Sequence, residues 1–250
     1  MTLRYRLYLG LMLLFTCAAS SAFAAETSVA VAANFTEPAK EIAAAFAKAT
    51  GHKAQLVFGP SGAFYTQISH GAPFELFLSA DAERPVKIEQ EGLGVPATRF
   101  TYAVGRLALF STTPRLVDKA GAVLRTGRFE KIAIADPVSA PYGLAALETM
   151  RALGVEARLK PRIVTGTSIA QAYQFTSTGA AELGFVALSQ IIDVKGGSRW
   201  IVPASLHKPI EQQAILLKTG AANPAARAFL KFLKSDAALR IIRRYGYAAR

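Results

Sequence analysis

The stretch KAQLVFGPSGAFYTQISHGAPFELFLSA, residues 53–80, decides the fold. Its opening, KAQLVFG (53–59), is a short apolar run that stops at Gly59 and Pro60, as a strand leaving a sheet does. AFYTQISHG (63–71) reads as a short helix closed by Gly71, and FELFLSA (74–80) as the next strand. Strand, helix and strand in such close succession make a βαβ unit, whose two strands run parallel with the helix covering one face.

The same rhythm extends in both directions. SVAVAAN (28–34) reads as a buried strand. EPAKEIAAAFAKAT (37–50) reads as a helix with Ala39, Ile42, Ala43, Phe46 and Ala49 on one stripe, Glu37 and Pro38 in its first turn and Gly51 at its end. AERPVKIEQEG (82–92) is a third helix, bent at Pro85. The pattern then restarts with strand KIAIADP (131–137), helix GLAALETMRALG (143–154) with Leu144, Leu147 and Leu153 among its apolar positions, and strand PRIVTG (161–166). Helix SIAQAYQFTSTG (168–179) and strand ELGFVALSQ (182–190) complete it. FELFLSA and AELGFVALS thus hold equivalent places in two similar α/β halves of about a hundred residues, the usual size of a domain. YAVGRLALFS (102–111) and EQQAILLK (211–218) read as strands crossing between the halves. The last helix, PAARAFLKFLKSDAALRIIRRYG (224–246), packs back on the first half. Two crossing strands make a hinge with a cleft between lobes, and ligands in such sheets sit beyond the carboxyl ends of the strands. The expected division is 25–105 plus 215–250 for the first lobe and 106–214 for the second.

The first 24 residues stand apart. Arg4 and Arg6 precede the apolar run LYLGLMLLFTCAA, and Ala22-Phe23-Ala24 forms an A-x-A cleavage site, so 1–24 reads as a secretory signal peptide. Cys17, the single cysteine, lies inside it, so the exported chain uses neither disulfides nor thiolate chemistry. The full chain of 250 residues carries a formal charge of +12, and loss of Arg4 and Arg6 leaves 27 basic residues against 17 acidic ones. The basic residues are scattered as RPVK, RLK and RIIRR, with no block interleaved with aromatics, which argues against nucleic acid as the partner.

Four strand-to-helix turns carry the function: Ala33-Asn34-Phe35, Pro60-Ser61-Gly62, Pro141-Tyr142-Gly143 and Thr167-Ser168-Ile169. Asn34, Ser61 and Ser168 are residues of N-cap type placed before helical runs. Helix starts expose unpaired N–H groups and a partial positive charge, so they bind anions without a charged side chain. None of the four turns contains Lys or Arg. With two turns in each half at matching positions, they suit a compact, fully ionised oxyanion.

A serine nucleophile is the competing reading. GPSGA has Gly59 and Gly62, but Ala63 stands where the hydrolase elbow has its second glycine, and only a loop histidine, His207, completes a triad with Ser61 and Asp136. Asp81 and Asp136 close strands, where they cap or order loops. No H-E-x-x-H, cysteine pair or P-loop is present.

VAANF, GPSGAFYTQISHGAPFELFLSADAERP, ADPVSAPYG and AELGFVALS resemble the periplasmic molybdate-binding proteins of ABC importers, and the resemblance runs from about Ser28 to RRYGY near the C-terminus. It implies the two-lobed type II periplasmic binding protein fold, each lobe a mixed, mainly parallel α/β sheet flanked by helices. It implies a non-enzymatic, monomeric periplasmic carrier of molybdate, and by size and charge of tungstate, with no cofactor, that docks on an inner-membrane permease. Carried over to this chain, it implies Asn34 and Ser61 as donors and Ala33 beside Asn34 offering backbone N–H. It also implies Tyr142 through backbone N–H or hydroxyl, and Ile169 through backbone N–H with Ser168 adjacent. Ala187 stands where some relatives carry a ligand-contacting tyrosine. Sulfate or another tetrahedral oxyanion is the alternative ligand.

Overall fold

A computed structural model describes residues 24–248. The export segment read at 1–24, with Cys17, lies outside that range but for Ala24. Among the described residues no helix is long and apolar enough to cross a membrane.

The first sheet has the order β2-β1-β3-β10-β4, from β1 (Glu26–Ala32), β2 (Lys53–Gly59), β3 (Leu76–Leu78), β4 (Phe100–Gly105) and β10 (Ile210–Leu216). The second has the order β7-β6-β8-β5-β9, from β5 (Leu107–Ser111), β6 (Ile132–Ala135), β7 (Ile163–Gly166), β8 (Leu183–Ala187) and β9 (Ser198–Ile201). In each sheet the three strands of the βαβ units are parallel, while β10 runs antiparallel to β3 and β4, and β5 to β8 and β9. The run 102–111 is therefore two strands in two sheets, parted at Arg106. The chain crosses there and returns between β9 and β10.

Helices cover both sheets: α1 (Thr36–Thr50), α2 (Ser61–Ser69), α3 (Glu83–Gln90), α4 (Val123–Thr126), α5 (Pro141–Ala152), α6 (Glu156–Leu159), α7 (Ile169–Ser177), α8 (Leu188–Ile191), α9 (Pro224–Phe232) and α10 (Asp236–Arg244). Side chains alternate across each sheet, as the two-residue period of a strand requires. Val29 and Val31 face Phe35, Ile42, Phe46 and Phe229, while Ala30 between them faces Phe64, Phe77 and Ile215. The second sheet has its main core around Leu109, Ile134, Phe185 and Met150, and Ala32, Ala33 and Ala80 of the first lobe join that cluster across the cleft.

Three expectations change. The long C-terminal helix is two helices, broken at Leu233–Ser235, where the Ser235 hydroxyl accepts from the N–H of Ala238 and starts α10 afresh. Ala49 falls outside the buried stripe of α1 and is exposed. Leu144 is 46% exposed, because α5 turns that face toward the mouth of the cleft instead of the core.

Candidate functional site

Register brings the four turns together. β1 and β2 pair with Ala32 opposite Gly59, so both strands end level and Ala33-Asn34 lies beside Pro60-Ser61. In the other sheet Ala135 pairs with Gly166, so the turns into α5 and α7 also emerge side by side. The two edges face each other across one small void of about 10 Å³. That is far below the ~300–1,000 Å³ of ordinary small-molecule pockets, so only a very small occupant suits the space between the turns.

The first lobe lines the void with Ala32, Ala33, Asn34, Gly59, Pro60, Ser61 and Ala80, the second with Ala140, Pro141, Tyr142 and Ile169. No charged side chain is among them. Of the residues singled out in the sequence, Ala33, Asn34, Ser61, Tyr142 and Ile169 meet here. Ser168 does not line the void: its hydroxyl accepts from the N–H of Gln171 and caps α7.

The local chemistry differs from simple N-capping at two turns. Pro60 takes the N-cap position of α2, and Ser61 is its first helical residue. The Ser61 side chain is 1% exposed and its Oγ accepts from the N–H of Ala80 at 2.9 Å, which leaves the hydroxyl proton for an acceptor in the void. Asn34 sits in a short 3-10 turn, Ala33–Phe35, ahead of α1. Its side-chain NH2 donates to Gln212 Oε1 at 2.9 Å and to the Tyr247 hydroxyl at 3.0 Å, which uses both amide protons. The N–H donors that Asn34 and Ala33 still have for the void are then those of the backbone. Ser61, Tyr142 and Ile169 open α2, α5 and α7, where helical N–H groups have no intrahelical acceptor.

The Tyr142 hydroxyl points away from solvent and accepts from Gln212 Nε2 at 3.2 Å. Gly105 makes that approach possible, since a Cβ there would stand 2.2 Å from the hydroxyl oxygen. Burial holds the Tyr142 and Tyr102 hydroxyls well above their ordinary range. Burial also raises Tyr247 to about 12, partly opposed by hydrogen bonds with Ser189 and Asn34. All three stay neutral at physiological pH, so no phenolate faces an anion in the void.

The cleft is shut over the void by contacts between the lobes. Gly62 N–H donates to Ser139 O at 2.8 Å, and the Arg84 guanidinium, paired with Asp81, donates to Val138 O at 2.7 Å. Asp81, just ahead of α3, also accepts from the N–H of Arg84, and Asp136 accepts from Val138 N–H and the Ser139 hydroxyl. These carboxylates order loops, as expected. His207 lies on the surface with its Nδ1 2.7 Å from Lys208 O, so the triad of Ser61, Asp136 and His207 is not assembled. Ala187 is fully buried at the end of β8 and contributes no side-chain donor. Among the described residues no cluster of His, Cys, Asp or Glu is arranged to hold a metal ion.

Gln212, Tyr102, Tyr247 and Ser189, which hold Asn34 and Tyr142 from behind, were not singled out in the sequence. Gln212-Gln213 inside the apolar strand EQQAILLK is the signal that points to them, because a buried amide needs partners.

The profile of the bacterial extracellular solute-binding proteins matches residues 27–248. The molybdate-binding protein ModA of Rhodobacter capsulatus is 61% identical over 226 residues, 90% of this chain and 89% of that one. ModA of Azotobacter vinelandii is 52% identical over 237 residues, 94% and 93% of the two chains. The solved structure titled as the periplasmic molybdate-binding protein of Azotobacter vinelandii superposes with a TM-score of 0.87 at 42% identity, covering 90% of this chain and 99% of that one.

Proposed function

The chain belongs to the bacterial extracellular solute-binding proteins, within their molybdate-binding branch, and we propose that it carries molybdate to an ABC importer by enclosing the dianion in the interlobe void. Proteins of this family are transport components, not enzymes. The observation that carries the reading is a small void lined by four helix starts and no charged side chain. Such a lining holds a fully ionised oxyanion through oriented N–H and O–H dipoles, and disfavours a cation, which meets only positive helix ends.

In this reading Ser61 donates its hydroxyl, and Ala33, Asn34, Tyr142 and Ile169 donate backbone N–H groups. Ser168 stiffens the turn before Ile169. Tungstate, of the same charge and shape, is held equally. Sulfate is rejected by size, because donors fixed at helix starts cannot close on a smaller anion. The exported protein acts in the periplasm as a monomer, and its closed form docks on an inner-membrane permease. We take the lobes as residues 25–105 plus 215–250 and residues 106–214, with the boundary moved back to the start of β10 at Ile210, since that strand belongs to the first sheet.

Titration calorimetry with molybdate, tungstate and sulfate tests this. The expected result is one site per chain for molybdate and tungstate, with sulfate at least a hundredfold weaker. Equal affinity for molybdate and sulfate would overturn the size argument, and no heat with any of the three would overturn the oxyanion reading.

A further inference from the structure

Behind the void lies a fully buried polar network that the binding reading does not require. Its centre is the carboxamide of Gln212, 0% exposed, on β10. Gln212 Oε1 accepts from Asn34 Nδ2 at 2.9 Å and from the Tyr102 hydroxyl at 3.0 Å, and its Nε2 donates to the Tyr142 hydroxyl at 3.2 Å. Asn34 belongs to the first lobe and Tyr142 to the second. One side chain therefore touches the turn-bearing residues of both, and its oxygen and its nitrogen are committed to different lobes.

The backbone is shaped for this. The pairing of β10 with β4 shifts register between Gln212 and Gln213, a bulge that re-aims a side chain out of the regular alternation. Gly105 opposite leaves room for both the Gln212 amide and the Tyr142 hydroxyl, since a Cβ there would lie 2.7 Å from the first and 2.2 Å from the second. A second strut runs parallel to it. Ser189, just inside α8 of the second lobe, donates to Asn34 O at 2.8 Å, and the Tyr247 hydroxyl donates to the same carbonyl and lies 2.9 Å from Ser189 Oγ.

We propose that Gln212 is a positioning residue: it registers Asn34 of the first lobe against Tyr142 of the second, and so sets the separation at which the helix starts meet around the anion. The proposal rests on the oxyanion reading above. It follows that anion selectivity is decided partly by a side chain that never touches the anion. Buried amide networks whose members are all paired are rigid, because each bond left unmade in the low-dielectric interior is costly. A rigid spacer holds the cage to one radius. Without it the lobes settle at a range of separations, and the penalty against a smaller anion falls.

The test uses Gln212→Leu, of similar volume but without the amide, and Tyr142→Phe, which removes only the hydroxyl and keeps the backbone donor. Each is titrated with molybdate, tungstate, sulfate and phosphate, and the ligand-free melting temperature is recorded. The expected result for both variants is a molybdate Kd raised at least tenfold and a molybdate-to-sulfate preference reduced at least tenfold. Gln212→Leu in the Tyr142→Phe background should add little to that loss of preference. A purely structural role would weaken all anions by one factor, so an unchanged preference ratio overturns the proposal, whatever happens to the melting temperature. If Gln212→Leu does not fold, the ratio measured for Tyr142→Phe decides in the same way. A wild type that prefers sulfate or phosphate overturns the molybdate reading alone, and the ratio between its best anion and the others then tests Gln212. A wild type that binds none of the four overturns both.

Discussion

The backbone N–H of Gly62 donates to the carbonyl oxygen of Ser139 at 2.8 Å, which ties the first turn of α2 in one lobe to the loop before α5 in the other. The bond exists because residue 62 has no side chain. A Cβ built on Gly62 would stand 2.8 Å from the Cα of Ser139 and 3.1 Å from Arg84 Nη2. The helical backbone of Gly62 itself accepts any residue, so alanine there strains the closed cleft and not the fold. Gly62→Ala is expected to raise the molybdate Kd by roughly ten- to a hundredfold, the equivalent of ~1.4–2.8 kcal/mol. The ligand-free melting temperature should hold within ~2 °C. Small-angle scattering should show a smaller contraction on adding molybdate than in the wild type.

Ser61 is placed to accept from Ala80 N–H and to donate into the void. Loss of a hydrogen bond to a charged group costs about 1.5–3 kcal/mol. Ser61→Ala is therefore expected to weaken molybdate binding by roughly ten- to a hundredfold in calorimetry. It also orphans the Ala80 N–H, so a modest drop in ligand-free stability accompanies it. A nucleophilic serine predicts something else: ester turnover by the wild type that Ser61→Ala abolishes.

Ser168 is an N-cap whose Oγ accepts from Gln171 N–H. Ser168→Ala should cost about 1 kcal/mol of stability, the usual worth of such a cap. It should leave the molybdate Kd within about twofold. A loss of affinity as large as that of Ser61→Ala would place its hydroxyl on the anion instead. Calorimetry and thermal melting on one preparation separate the two roles.

The buried tyrosines set the alkaline limit. Tyr247 titrates near 12 in the fold against 10.0 ordinarily, with burial as the main cause. Between those values the unfolded chain has lost a proton that the folded chain keeps, so stability falls as pH rises through that window. A shift of about two units corresponds to roughly 2–3 kcal/mol. Tyr102 and Tyr142, also shifted upward by burial, act in the same direction. The tyrosines should contribute no slope to melting temperature between pH 7 and 9 and a steep fall above about 10. Tyr247→Phe should make that fall shallower.

Much of the fold is legible in local patterning. KAQLVFG is β2 residue for residue, and Gly51 ends α1 in the left-handed conformation that glycine tolerates. Where local reading failed, a longer-range interaction had intervened. Leu144 has the spacing of a core residue, yet α5 borders a cleft and that face is open. The terminal helical pattern ran on through Ser235, but the hydroxyl of that serine starts a second helix. Asn34 has the composition of a ligand donor, yet its amide protons are spent on Gln212 and Tyr247, 178 and 213 residues away.

From its sequence alone this protein is a two-lobed α/β chain with four uncharged strand-to-helix turns, because strand and helix periods, turn residues and charge are properties of neighbouring residues. Which donors point into the void was settled by tertiary structure. Strand register decides which turns lie side by side, and closure decides which lobe faces which. Partners far along the chain decide which polar atoms remain unspent. A hydrogen bond is short and directional, so its partner is chosen by where the whole chain places it.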